Sequence, residues 1–97
     1  MYRTNIDATE NSLRFYNCRE DSPVYQLKSG TLKLLLDIAR EKPVTSIKVI
    51  REITDCSLAT AKDVNDFLRD AMDGRARRGY NADDNADTFV FKIAHPN

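Results

Sequence analysis

Between Val44 and Val64, in VTSIKVIREITDCSLATAKDV, apolar residues recur at helical spacing, stop at a short polar break and resume. A helix is predicted from about Val44 to Asp55, with Val49, Ile50 and Ile53 on one stripe turned to the core. Val44, Ile47, Lys48 and Arg51 make a second stripe by the same arithmetic, at i, i+3, i+4 and i+7. Asp55-Cys56-Ser57 interrupts the pattern. Ser57 is a suitable N-cap for a second helix from Leu58 to about Met72, since its hydroxyl can accept from a backbone N–H that has no partner inside the helix. Ala61, Val64, Leu68 and Ala71 form the inner face of that helix, with Leu58 and Phe67 at its borders.

The flanking segments change period. Residues 1–12 are polar and mixed in charge, which predicts a loosely held start. From Leu13 the alternation LRFYNC, the turn formers Arg19 to Pro23 and the alternation VYQLK predict a β-hairpin over residues 13–28. TLKLLLDIAREKP after Ser29-Gly30 stays open between strand and helix. Its apolar run suits a buried strand, while Leu, Ala, Arg, Glu and Lys favour helix. Gly74 ends the second helix, residues 75–87 are rich in Gly, Asn and Asp and read as loop, and TFVFKIA alternates as a closing strand. The pattern predicts one α+β domain over residues 1–97, with a small antiparallel or mixed sheet packed by a helix-turn-helix pair.

Charge removes several function classes. Fifteen basic and fifteen acidic side chains sum to a formal net charge of zero, so no global field draws the chain to nucleic acid or anionic lipid. No apolar run is long enough to span a bilayer, and a cytoplasmic protein that does not engage the membrane is expected. Cys18 and Cys56 are isolated from each other and read as reduced thiols, Cys56 as a small packed residue. His95, the one histidine, stands beside Pro96 at the end of the sequence, a poor position for a base. The acidic loop Asp83, Asp84 and Asp87 lacks the spacing and terminal Glu of a calcium loop, so no metal is expected. With no GxSxG, GxGxxG or phosphate-loop motif either, the expectation is a non-enzymatic chain without a cofactor.

Two binding readings remain. Arg75, Arg77 and Arg78 with Tyr80 could pair with phosphate and stack on a base. Were LKLLLDIARE helical, the order helix, helix, turn, helix and glycine-rich wing would resemble a winged helix-turn-helix domain, a DNA-binding alternative. Against it, the helix that would enter the groove carries Lys62 and Arg69 beside Asp63, Asp66, Asp70 and Asp73, a net acidic balance that repels phosphate.

The other reading starts from KVIREITDCSLATAKDV, which resembles the C-terminal domain of the bacterial large-subunit ribosomal stalk protein. Arg51, Glu52, Ile53, Thr54, Leu58, Ala61, Lys62, Asp63 and Val64 stand in matching places, as do Val44, Ile47 and Lys48. LKLLLDIA and TFVFKI are weaker matches to the family's first and last strands, which would make residues 31–97 a stalk-like core. The resemblance implies a β-α-α-β-α-β order and a role in protein recognition, since the stalk domain recruits translational GTPases to the ribosome. Its factor-binding face, carried over, corresponds to Val44, Ile47, Lys48, Arg51 and Lys62. Such a face would suit an acidic, partly apolar helix of a translation-related or other host factor. Where the family has two glycines with an apolar residue between them, this chain has Asp55, Cys56 and Ser57; a family lysine is Ala59. The expected function is an accessory or regulatory protein-interaction module of unassigned oligomeric state.

Overall fold

The computed structural model describes residues 4–8, 12–17, 23–73 and Ile93. Three strands, β1 (Thr4–Ala8), β2 (Ser12–Asn17) and β3 (Tyr25–Lys28), precede three helices, α1 (Ser29–Ala39), α2 (Pro43–Thr54) and α3 (Leu58–Met72). The sheet is antiparallel in the order β1-β2-β3, so β2 is central. The domain is therefore α+β, with helices packed on the sheet.

Alternation creates the buried face of the sheet. Ile6 lies opposite Phe15 and Ala8 opposite Leu13, while Leu13 and Phe15 meet Leu27 and Tyr25 across the other ladder. Phe15 and Tyr25 pack as a tilted aromatic pair with ring centroids 5.5 Å apart, a geometry that adds to their burial. Asn5, Asp7, Arg14 and Tyr16 take the opposite face, where the Asn5 amide donates to the Tyr16 hydroxyl at 3.1 Å. The hairpin expected over residues 13–28 corresponds to the β2–β3 pairing. The loosely held start does not hold for Thr4–Ala8, which forms a full strand. Thr4, Ile6 and Ala8 all face inward; with one strongly apolar residue among them, the segment has period two but little hydrophobic signal.

The segment left open between strand and helix is helical. Leu32, Leu35, Leu36 and Ala39 are buried at i, i+3, i+4 and i+7, the stripe a helix needs against one core. The chain passes from β3 into α1 with no residue between them, and Pro43 then opens α2 at its first position, where its missing N–H costs nothing. This helix replaces the first strand that the stalk resemblance implies, so the observed order is not β-α-α-β-α-β.

Two details of the helical stripes also differ from expectation. On α2 the buried line is Ser46 and Ile50, with Ile47 and Val49 packed beside it, while Ile53 is 53% exposed. On α3 the expected inner face is buried, but Phe67 is fully enclosed rather than at a border and Leu58 is 51% exposed. The cause is the sheet. α3 meets α1 and α2 and also β1 and β2, so its buried arc is wider than two helices alone would require. Of the closing strand, only Ile93 lies among the described residues; it is buried in the core and helical in backbone, so it is not part of a strand.

The break between α2 and α3 has a clear construction. Asp55 adopts the left-handed conformation, φ 61° and ψ 26°, and its N–H donates to the Arg51 carbonyl at 2.7 Å. The Thr54 hydroxyl donates to the Ile50 carbonyl at 2.7 Å, and Ser57 caps α3 by accepting from the Thr60 N–H at 3.2 Å. Cys56 is buried between them. Asp enters the left-handed region more readily than most residues but still at a cost that glycine avoids, so Asp55→Gly is expected to stabilise the fold by up to about 1 kcal/mol. Asp55→Val should destabilise it. Thermal denaturation of the two variants beside the parent checks the opposite signs.

Candidate functional site

The five residues expected to form a binding face do not share one environment. Val44, Lys48 and Arg51 are exposed on α2, and Lys62 is exposed on α3. Ile47 is half-buried against the core, three residues from the fully buried Ile50 on the same side of the helix, which removes most of it from the outward stripe. Lys48 and Arg51 line an open depression of about 390 Å³ together with Glu52 and Asp55. Lys62 lines a second one, about 340 Å³, with Leu58, Ala59, Asp63 and Asp66.

This surface is charge-balanced rather than basic. Lys48 with Glu52 and Lys62 with Asp66 are opposite charges four residues apart, the spacing at which side chains on a helix become neighbours, and Asp55, just past the end of α2, shares the depression with Arg51. Those carboxylates were not among the expected site residues, although the i, i+4 pairing is legible in the sequence. Partial burial pushes the Asp66 carboxyl above the usual carboxylate range; Arg69 and Lys62 oppose the rise, and Asp70 and Asp63 add to it. Burial likewise raises the Cys56 thiol, against smaller lowering effects from Thr54, its own backbone hydrogen bond and Arg51. Cys56 is thus a packed thiol whose burial disfavours the thiolate, the form a nucleophile needs.

The outward surface of α3 stands on a buried polar connection to the sheet. The Asn17 side-chain amide donates to the Thr60 hydroxyl at 3.1 Å, and the Ser57 hydroxyl donates to the same oxygen at 3.0 Å. Nearby, the Thr4 hydroxyl donates to the Asp63 carboxylate at 2.7 Å. At the far end of α3, Asp73 pairs with Arg40 just beyond α1. The bonds at Thr60 hold the first turn of α3 against the sheet, and with it the direction in which Leu58 and Lys62 project. Asn17, Thr60 and Thr4 escape a reading based on apolar periodicity because they are polar, yet all three are buried.

Among the described residues no group of three potential metal ligands comes together, and no helix is long and apolar enough to cross a membrane. Arg75, Arg77, Arg78 and Tyr80, the acidic loop at Asp83, Asp84 and Asp87, Cys18 and His95 lie outside the described residues. Comparison of the chain with protein-family models, with curated proteins and with solved structures gives no significant match.

Proposed function

We propose that this domain is a non-enzymatic protein-interaction module that presents the outward surface of α2, the left-handed turn and α3 to an amphipathic helix of another protein. The observation that carries the reading is that exposed apolar side chains accompany the cations on this unit: Val44 is 66% exposed at the start of α2, one turn before Lys48, and Leu58 is 51% exposed at the start of α3, one turn before Lys62. Each is large enough to anchor a partner, and the cations Lys48, Arg51 and Lys62 stand on the same two helices. Carboxylates at Glu52, Asp55 and Asp66 accompany those cations, so selectivity would come from matching charges one by one rather than from a bulk field. The stalk resemblance supports this reading at Val44, Lys48, Arg51 and Lys62 and loses support at Ile47 and at the missing first strand. An accessory or regulatory role, with a translation-related or other host factor as partner, rests on that resemblance.

The test compares the parent with Lys48→Glu, Arg51→Glu as bait in affinity capture followed by mass spectrometry, with circular dichroism to establish that the fold survives. Both side chains are exposed, so the helix should tolerate the change. Capture of a specific partner is expected to fall at least about tenfold. Undiminished capture by the folded variant would sink the assignment of this face.

A second reading has one observation in its favour. Because α1 is helical, α1, α2, the turn and α3 follow one another in the order of a winged helix-turn-helix domain. Opposing it, α3 carries Asp63, Asp66 and Asp70 against Lys62 and Arg69, which repels a phosphate backbone. Salt-dependent retention of duplex DNA, lost on substitution of Arg75, Arg77 and Arg78, would favour this alternative. No retention at low salt would remove it.

A further inference from the structure

We draw no further inference here: the strongest candidate, the solvent-facing side of the three-stranded sheet around Asp7, Arg14 and Tyr16, balances one carboxylate against one guanidinium, and nothing in the structure shows what covers it.

Discussion

Phe67→Ala is expected to cost about 3–5 kcal/mol, the range for emptying a buried aromatic site. Phe67 has no exposed surface, lies among Val64, Leu68 and the rest of the core, and sits on a helix that reaches both other helices and two strands of the sheet. A cavity there cannot close by moving a single neighbour, because the surrounding elements are held by one another. Domains of this size have only about 5–15 kcal/mol of total stability, so the variant should be marginal at room temperature. Leu58→Ala supplies the control. It removes a large apolar side chain from the same helix, but one that is 51% exposed, and should shift stability by no more than about 1 kcal/mol. Urea denaturation of both variants measures the difference; similar losses would mean that the buried face of α3 is misassigned.

The second large effect is polar. Asn17→Ala should destabilise by about 2–3 kcal/mol, since it strips a hydrogen bond from a Thr60 hydroxyl buried to 1% exposure and leaves a gap beside it. Thr60→Val keeps the shape and removes the hydroxyl that both Asn17 and Ser57 address. If the two side chains act as one connection between β2 and α3, the double variant loses less than the sum of the two single losses, by about 1 kcal/mol. Strict additivity would show that the sheet and α3 are held together by apolar packing, with the hydrogen bond incidental.

The elements differ in how far their sequences declared them, and the reason is local in each case. The β2–β3 hairpin was legible because Leu13, Phe15, Tyr25 and Leu27 are large and strictly alternating. β1 has the same period, but Thr4 and Ala8 are too small or polar to register; pairing with β2 is what makes it a strand. α1 is ambiguous because Leu34 and Ile38 widen its apolar run beyond the buried stripe, with Lys33 and Asp37 as the polar interruption, although Leu34 is 54% exposed. On α2 a buried serine and an exposed isoleucine two turns further on the same side, Ser46 and Ile53, mislead any reading that equates apolar with buried. The Ser46 hydroxyl has no hydrogen-bond partner among the described protein groups, so burial there follows from the position on the helix rather than from what the side chain prefers.

The candidate surface was partly legible. Lys48, Arg51 and Lys62 could be placed on two helices from spacing alone, and all three are exposed. The half-burial of Ile47 at the edge of that surface depends on how α2 rolls against its neighbours, which periodicity leaves free over roughly the width of one residue on the helical wheel. The accompanying carboxylates required only that each cation be paired with the residue four positions on, so their contribution to the surface was present in the sequence from the start.

Backbone chemical shifts of residues 29–39, with cross-strand proton contacts between β1 and β2, test the architecture on which the proposed surface rests. Helical shifts from Ser29 to Ala39 and proximity of Ile6 to Phe15 are expected, because α1 buries Leu32, Leu35 and Leu36 against the sheet that those two residues help to build. Extended shifts across Thr31 to Ala39 would contradict the account, restoring the first strand of a stalk-type sheet and changing which sides of α2 and α3 face solvent.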